Sequence, residues 1–411
     1  MNSQRYVIAG GGQAAANAAT ALRSEGFEGK IVIVGDESHL PYERPPLSKE
    51  TLLEEEPLCP HVFPGNHWQE LGVEIATDRA AEGIDLDAKC LEISGGVAIA
   101  YDKLLIATGG RPRRLNHLGE AGDGINYLRT FNDSLELCQS LRHRCRLLVI
   151  GAGVIGLEVA STAVKQSCRV TVVELDRQAL GRILPESLSR SIERLHERRG
   201  VELRFQTSIQ GLEYHDGQFR AVLNNNQEIV ADAVVAGIGM QPNIELAADA
   251  GIDVAPYGVL VDQYGATSAP DVYAAGDVTA FWHPRLNRRI HLECWLNAQN
   301  QAIAVARNMA GSRIEYNEVP WMWTDQHDTN YQIAGIRSDG GETVETVARG
   351  DLNDGDYMVY EVQNGRITWA FACNRARDMT ITRKLMERDI PVDPEVLADS
   401  SQPLRKLMKR R

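Results

Sequence analysis

Two glycine-rich motifs in this chain each have the form that binds a dinucleotide. The first occupies residues 10–15 (GGGQAA) and the second residues 151–156 (GAGVIG). Each follows a strand-like run, 6–9 or 147–150, and begins an apolar helix. In that context the first glycine makes a tight turn, the second lets the backbone approach a pyrophosphate, and the third small residue lets helix and strand pack closely. The repeated motif predicts that the chain binds two dinucleotides.

Length and charge limit the other classes of protein to which the chain can belong. A chain of 411 residues exceeds the size at which a single core stops growing, so we expect two or three domains. The formal net charge of −13 argues against a nucleic-acid partner, which requires a basic face. No apolar run reaches the roughly 18 residues of a membrane span, and the N-terminus leads directly into a strand. We therefore expect no membrane partner and a cytoplasmic protein.

The cysteines show no motif for a disulfide framework or a metal site. No two of them are spaced as C-x-x-C or C-x-x-x-x-C, so the sequence predicts neither thiolate metal ligands nor any other metal centre. The seven residues are Cys59, Cys90, Cys138, Cys145, Cys168, Cys294 and Cys373. Each is expected to be an ordinary thiol.

Both glycine motifs open a βαβ unit. The first continues through a predicted helix at 17–24 to a strand at 31–34, and the second through a helix at 157–166 to a strand at 169–173. An acidic residue follows each second strand, about 20 residues after the glycines, where such an acid binds ribose hydroxyls. These acids are Asp36 and Glu174. Gly35 occupies the position equivalent to Glu174, so Asp36 lies one residue late.

A second internal repeat sets the predicted domain boundaries. Residues 102–112 and 232–242 share an Asp, an apolar strand, a Gly and a Pro at matching spacing. A later strand delivers Asp277 at its carboxyl end, where ligands bind in open α/β sheets. Pairing that strand with the N-terminal unit makes the first domain discontinuous.

We predict an α/β chain with two Rossmann-like dinucleotide-binding domains and a C-terminal α+β domain. The first domain comprises 1–112 and 243–318, and the second comprises 113–242. The third, 319–411, is predicted from strand-like runs at 332–336, 357–362 and 367–373 followed by a helix.

The glycine motifs together with residues 107–109 (ATG), 237–239 (GIG) and 275–277 (AGD) resemble the two-dinucleotide flavoproteins of glutathione-reductase-like fold. That resemblance implies FAD at the N-terminal site and a nicotinamide cofactor at the inserted one. Residues 41–49 (PYERPPLSK), 320–326 (PWMWTDQ) and 374–378 (NRARD) look like the ferredoxin reductases that supply Rieske-type ring-hydroxylating dioxygenases and some cytochromes P450. In these reductases Ser is usual at the position of Thr324.

The resemblance also implies the site residues. Those near FAD are Gly10, Gly12, Ala14, Ala15, Asp36, Arg44, Lys49, Ala81, Ala107, Thr108, Gly109, Arg129, Asp277, Trp295 and Trp323. Those near the nicotinamide cofactor are Gly151, Gly153, Ile155, Gly156, Glu158, Glu174, Arg182 and Gly239. The resemblance places the Trp323 ring beside the flavin. The position of Glu158 early in the helix after the second glycine motif leads to the hypothesis of a Lys49–Glu158 ion pair near the flavin, and catalysis is assigned to Lys49, Glu158 and Trp323. A cation beside the flavin would stabilise negative charge on the reduced ring.

Glu174 favours NADH over NADPH, because a carboxylate can bind ribose hydroxyls but repels a 2′-phosphate. Arg177 and Arg182 lie nearby in the sequence and work against this preference, since an arginine can accommodate that phosphate.

The electron acceptor is predicted from the cysteines and from the C-terminus. Disulfide reductases and peroxidases of this fold need a cysteine that residues 39–44 (HLPYER) lack. The electrons are therefore expected to pass to an external acceptor, a two-iron ferredoxin of Rieske type. This ferredoxin would in turn supply an oxygenase. The basic segment 404–411, with Leu404, Leu407 and Met408 on one face, would bind the ferredoxin. A rubredoxin acceptor and a non-catalytic NADH sensor of the apoptosis-inducing-factor type stay open. The oligomeric state, a monomer or a homodimer, also stays open.

Overall fold

The computed structural model describes residues 4–141, 145–337, 344–352 and 355–409. The strands of the first half are β1 (Arg5–Ala9), β2 (Lys30–Val34), β3 (Val73–Ala76), β4 (Ala81–Asp85), β5 (Cys90–Ile93), β6 (Val97–Ala100), β7 (Lys103–Ile106), β8 (Gly110–Pro112), β9 (Arg146–Ile150), β10 (Arg169–Val173) and β11 (Glu202–Arg204). Those that follow are β12 (Ile209–His215), β13 (Gln218–Leu223), β14 (Glu228–Ala231), β15 (Ala233–Ala236), β16 (Met240–Pro242), β17 (Val254–Ala255), β18 (Gly258–Val261), β19 (Val272–Ala274), β20 (Thr279–His283), β21 (Arg288–His291), β22 (Trp321–Gln326), β23 (Thr329–Gly335), β24 (Glu345–Arg349), β25 (Tyr357–Gln363) and β26 (Arg366–Cys373).

The α-helices are α1 (Gln13–Ser24), α2 (Glu50–Leu53), α3 (His67–Glu70), α4 (Phe131–Leu141), α5 (Val154–Lys165), α6 (Glu186–Arg198), α7 (Glu245–Asp249), α8 (Trp295–Met309), α9 (Ala376–Glu387) and α10 (Pro394–Ala398). Short 3₁₀ helices span Pro45–Ser48, Asn116–Gly124 and Leu404–Lys409. None of the helices within the described ranges is long and apolar enough to cross a membrane.

The chain divides into two compact units. Unit 1 contains the residues up to Pro45, Leu58–Arg111 and Met240–Glu318, and unit 2 contains Pro46–Pro57, Pro112–Gly239 and the residues from Val319 onward. Segment 46–57 therefore belongs to unit 2, whereas the predicted boundaries place it within 1–112. Its helix α2 packs against α4, and Ser134 Oγ donates to the carbonyl of Leu47 at 2.8 Å. The division into three domains stays a prediction.

Unit 1 is built on a parallel sheet with the strand order β19-β7-β1-β2-β3. Its central strand β1 pairs with β2 on one side and β7 on the other, with Val7 opposite Val32 and Leu104. Helix α1 is rich in alanine, the best helix former, and packs with α8 in the core beside this sheet. The predicted helix at 17–24 begins earlier, at Gln13, because the glycine turn leads directly into it.

Unit 2 repeats the parallel arrangement in the order β11-β10-β9-β15 and adds an antiparallel sheet, β22-β23-β26-β25-β24. One core cluster includes residues of the parallel sheet, α5 and the antiparallel strands. The predicted C-terminal strands are confirmed as β23, β25 and β26, with bounds shifted by up to three residues.

The architecture confirms the predicted α/β fold class, with two parallel dinucleotide-type sheets and an α+β segment after them. The C-terminal helix is a 3₁₀ helix, and its Leu404 and Leu407 are buried with Met408 packed against the same core, as predicted. Arg410 and Arg411, which the predicted docking segment includes, lie outside the described residues.

Candidate functional site

The first glycine motif forms the turn between β1 and α1 in unit 1. Gly10 has a φ of +124°, and a Cβ at this position would lie 2.2 Å from the carbonyl oxygen of Ala107, just beyond β7. Only glycine permits both this backbone conformation and this close approach. Ala14 and Ala15, in the first turn of α1, are buried in the core of the unit.

The N-terminus of α1 has the open space that a pyrophosphate requires. Gly12 is the N-cap, and no side chain of the described residues caps this helix. A Cβ at Gly12 would meet nothing within 4 Å. Because a helix N-terminus with free N–H groups attracts anions, the residues present fit the phosphates of a dinucleotide.

A neighbouring turn at 107–109 is fixed by Asn243. The Thr108 hydroxyl donates to the Asn243 carbonyl at 2.9 Å, and the Asn243 side-chain amide donates to the Thr108 carbonyl at 2.9 Å. Gly109 adopts a φ of +62° and accepts a hydrogen bond from the Asn243 backbone amide at 3.0 Å. Asn243 is not among the predicted site residues, although it directly follows the Pro that ends the second repeat.

Asp277 follows a residue that approaches α1. Gly276 has a φ of +84°, and a Cβ there would lie 3.1 Å from the Cβ of Ala14. The Gly276 amide donates to Oε1 of Gln301 on α8 at 2.8 Å. These contacts bring Asp277, one of the residues predicted near FAD, to the same region of unit 1 as the first glycine turn.

The acidic residues after β2 differ in their surroundings. Asp36 is exposed, whereas Glu37 accepts hydrogen bonds from the Tyr42 hydroxyl and from Arg44 Nη2, the latter at 2.7 Å. Arg44 is thus oriented by Glu37, which is not among the predicted site residues. The ribose role of Asp36 stays a prediction.

The remaining predicted FAD contacts are divided between the two units. Ala81 begins β4 and Trp295 begins α8, both in unit 1. Lys49, Arg129 and Trp323 belong to unit 2. Trp323 stacks on Trp321 of the same strand, with ring centroids 5.2 Å apart.

The second glycine motif repeats the tight turn in unit 2. Gly151 has a φ of +102°, and its added Cβ would lie 2.5 Å from the Gly237 carbonyl oxygen. A Cβ at Gly156 would lie 2.1 Å from the Gly151 carbonyl oxygen, so glycine is required where the first motif accepts Ala15. Gly153 is the N-cap of α5, and the side chain of Ile155 in the first turn is 41% exposed. This turn also fits a dinucleotide phosphate.

Glu174 contacts the second glycine turn directly. Its Oε2 accepts a hydrogen bond from the Ala152 amide at 2.6 Å, and its Oε1 accepts one from the Asp176 amide at 2.8 Å. Of the two nearby arginines, Arg182 lies against the turn at Gly239. A Cβ added at Gly239 would lie 3.3 Å from Nη1 of Arg182. Arg177 is mostly exposed and lies 3.8 Å from a carboxylate oxygen of Glu186.

Glu158 is the centre of a buried polar cluster in unit 2, which we call the Glu158 cluster: Ser48, Lys49, Glu158 and Thr324. Oε1 of Glu158 lies 3.3 Å from Lys49 Nζ and accepts a hydrogen bond from the Thr324 hydroxyl at 2.7 Å. Oε2 accepts a hydrogen bond from the Ser48 hydroxyl. The ion pair that the sequence predicted is present, and its catalytic role stays a prediction.

The Glu158 cluster orients a charged group that is almost inaccessible to water. Glu158 is 3% exposed, and a buried carboxylate is stable only when it is paired and hydrogen-bonded. The Thr162 hydroxyl also donates to the Ser48 carbonyl at 2.8 Å, which fixes the backbone next to Lys49. Ser48 and Thr324 are not among the predicted site residues, although Ser48 precedes Lys49 and Thr324 lies in segment 320–326.

Comparisons with known proteins cover nearly the whole chain. The family model "Pyridine nucleotide-disulphide oxidoreductase" matches residues 4–302, and "Reductase C-terminal" matches 321–408. Rhodocoxin reductase of Rhodococcus erythropolis is 36% identical over 98% of this chain and 94% of its own length. The ferredoxin–NAD(+) reductase component of the anthranilate 1,2-dioxygenase system of Burkholderia cepacia is 36% identical over 97% and 98%. The covalent putidaredoxin reductase–putidaredoxin complex has a chain that matches with a TM-score of 0.93 and 32% identity, over 98% of both chains.

Proposed function

This chain belongs to the pyridine nucleotide-disulphide oxidoreductase family, and on that basis we propose that it is a FAD-dependent NADH:ferredoxin reductase. Proteins of the family use FAD with a pyridine nucleotide. The supporting observation is that the chain carries two glycine turns with accessible helix N-termini, and aligns along its length with a ferredoxin–NAD(+) reductase component. We infer a two-iron ferredoxin of Rieske type as acceptor, an oxygenase as the indirect recipient of electrons, and a cytoplasmic location.

We propose that unit 1 holds FAD and that the second glycine turn holds NADH. Gly10 and Gly12 would admit the FAD pyrophosphate to the N-terminus of α1, and Asp277 would accept a hydrogen bond from the ribityl chain. Gly151 and Gly153 would do the same for NADH at α5. FAD, when bound, accepts a hydride and releases the two electrons singly.

Residues of the Glu158 cluster would position a cation for this reaction. Glu158 is restrained by the Ser48 and Thr324 hydroxyls, so it holds Lys49 Nζ in one place. A positive charge fixed in advance needs no rearrangement when negative charge develops nearby. Lys49 is therefore proposed as the catalytic cation and Glu158 as the group that sets its position.

Turnover with a ferredoxin tests the proposed function. Purified holoprotein with NADH should reduce a two-iron ferredoxin many times per flavin, at a rate far above NADH oxidation without it. The measurement is cytochrome c reduction with ferredoxin present or omitted. Turnover with rubredoxin alone would favour the rubredoxin alternative. Slow reduction that no iron–sulfur protein accelerates would contradict the proposal and favour an NADH sensor.

We expect NADH to be preferred over NADPH because of Glu174. Its carboxylate is fixed by the Ala152 and Asp176 amides, and would bind ribose hydroxyls while repelling a 2′-phosphate. Glu174→Ala should lower kcat/KM for NADH about tenfold and raise it for NADPH. Steady-state kinetics with both cofactors measures this, with the exposed Glu202→Ala as control. A wild-type preference for NADPH would contradict the assignment.

Ferredoxin docking should depend on the basic C-terminal segment. Arg405 and Lys406 are exposed, and an acidic ferredoxin would be attracted to them over long range. Replacing both by Glu should lower the second-order rate of ferredoxin reduction about tenfold at low salt and flatten its dependence on ionic strength. The control replaces the exposed residues Lys30 and Arg79 by Glu, which changes the net charge by the same amount. It should change neither the rate of ferredoxin reduction nor its dependence on ionic strength. A salt-independent wild-type rate would contradict docking by charge.

A further inference from the structure

Two buried cysteines that are distant in sequence meet in unit 2. The sulfur atoms of Cys145 and Cys168 are 3.2 Å apart, and the two residues are 6% and 7% exposed. The Cys145 thiol donates to the Cys168 sulfur, and the Cys168 thiol donates to the carbonyl of Leu141 at 3.3 Å. No spacing rule predicts this pair, because 22 residues separate the two positions along the chain.

The backbone holds the two cysteines in register. Cys145 and Cys168 directly precede the parallel strands β9 and β10, where Arg146 is paired with Arg169. The Arg169 amide donates to the Cys145 carbonyl at 2.9 Å. A disulfide brings the sulfurs to about 2.05 Å and needs Cα atoms about 4.4 to 6.8 Å apart, a range that includes neighbouring strands. Rotation of the side chains closes the remaining gap of about 1 Å.

The two thiols differ in their acidity. The hydrogen bond from the Cys145 thiol stabilises the Cys168 thiolate and lowers the pKa of Cys168, whereas the same hydrogen bond and burial raise the pKa of Cys145. A thiolate is the nucleophilic form of cysteine, so of the two sulfurs Cys168 is the one proposed to attack an oxidant. Cys373 differs, because its burial raises its pKa to about 12.

We propose that Cys145 and Cys168 form a reversible disulfide when the protein meets a peroxide. Hydrogen peroxide transfers one oxygen atom to the Cys168 sulfur, giving a sulfenic acid and releasing water. The Cys145 sulfur then attacks the Cys168 sulfur, so that an S–S bond forms, the S–O bond breaks and a second water leaves. In total, two thiols and one peroxide give one disulfide and two waters. A dithiol reductant reverses the change.

The disulfide would enclose part of the nucleotide site in a covalent loop. The segment from Cys145 to Cys168 contains β9, the second glycine motif and α5 with Glu158. Oxidation would therefore tie the amino ends of β9 and β10 together without changing a residue that contacts NADH. The inference does not rest on the proposed electron transfer.

Peptide mapping of the holoprotein tests the proposal. The protein is treated with hydrogen peroxide, its free thiols are alkylated under denaturing conditions, and it is digested with a protease that cleaves after glutamate. Cleavage at Glu136, Glu158 and Glu174 places Cys145 and Cys168 in separate peptides, 137–158 and 159–174. We expect these two peptides to appear linked, with a mass about 2 Da below their sum and with the link lost on reduction.

Three serine variants identify the sulfurs involved. Cys145→Ser and Cys168→Ser should abolish the link, and Cys145→Ser should leave a Cys168 sulfenic acid that dimedone traps. Cys138→Ser, a buried cysteine in the same peptide as Cys145, should keep the link. Absence of the linked peptide in the oxidised wild type, or a link from Cys168 to another cysteine, overturns the proposal. Fragmentation of the linked wild-type peptide shows whether Cys138 or Cys145 carries the bond to Cys168, because the other cysteine of 137–158 is alkylated. This measurement decides the question even where a variant fails to fold.

Discussion

Gly10→Ala should give a protein that unfolds at a lower temperature whether or not FAD is supplied. The added Cβ would lie 2.2 Å from the Ala107 carbonyl oxygen, and φ at this position is +124°, where a side chain is strained. Relieving the clash requires β1 and β7 to separate at the centre of the parallel sheet in unit 1. We expect a loss of about 3 kcal/mol or more of unfolding free energy in this unit.

Gly12→Ala should behave differently, although it changes the same motif in the same way. A Cβ at Gly12 meets nothing within 4 Å, and φ is an ordinary −98°. The stability of the apoprotein should therefore change by no more than about 0.5 kcal/mol. The methyl group instead occupies the space proposed for the pyrophosphate, so the affinity for FAD should fall by about 100-fold.

Flavin absorbance relative to protein absorbance, and thermal unfolding with and without added FAD, separate these two effects. Gly65→Ala is the matched control, since its added Cβ also meets nothing within 4 Å and it lies outside the glycine turn. It should match the wild type in both measurements. Wild-type FAD affinity in Gly12→Ala would mean that the pyrophosphate does not bind at α1.

The turns and parallel strands could be predicted from the sequence because local chemistry specifies them. Glycines at 10 and 151 permit backbone that other residues do not, and the apolar strands that precede them become buried on both faces. The contacts across the chain could not be predicted in the same way. Thr324 is 166 residues from Glu158, and only the packing of β22 against α5 shows that its hydroxyl reaches the carboxylate.

Short-range choices also escaped prediction where two candidate residues are adjacent. Asp36 lies one residue later than its counterpart Glu174, and its ribose role stays a prediction, whereas the hydrogen bonds of the adjacent Glu37 to Arg44 and Tyr42 were not predicted. Residues 36 and 37 follow β2 in irregular backbone, where no strand periodicity indicates which side chain is engaged. Cys145 and Cys168 were likewise treated as ordinary thiols because only the register of β9 and β10 brings them together.

Glu158→Gln should slow the reduction of FAD by NADH by about 10- to 100-fold. The substitution keeps the shape of the side chain but removes the charge that pairs with Lys49, whose side chain is only 12% exposed. Because an unpaired buried charge is costly, Lys49 should move, and the unfolding free energy should fall by about 3 kcal/mol. Anaerobic stopped-flow absorbance at increasing NADH concentrations measures the limiting rate and the apparent affinity separately.

Thr324 variants show whether Glu158 must also be positioned. Thr324→Val removes the 2.7 Å hydrogen bond and should slow FAD reduction about three- to tenfold, whereas Thr324→Ser retains the hydroxyl and should restore the rate. Thr171→Val is the matched control, because Thr171 donates a comparable hydrogen bond to Glu202 on an exposed part of unit 2. It should leave the rate unchanged.

A double-variant cycle of Glu158→Gln and Thr324→Val completes the test. If Thr324 acts only through Glu158, the double variant should be no slower than Glu158→Gln alone. Independent, additive effects would mean that Thr324 acts elsewhere in the structure. An unchanged limiting rate and NADH affinity in Glu158→Gln would contradict the assigned role of the ion pair. That result would not bear on the proposal that FAD binds at Gly12.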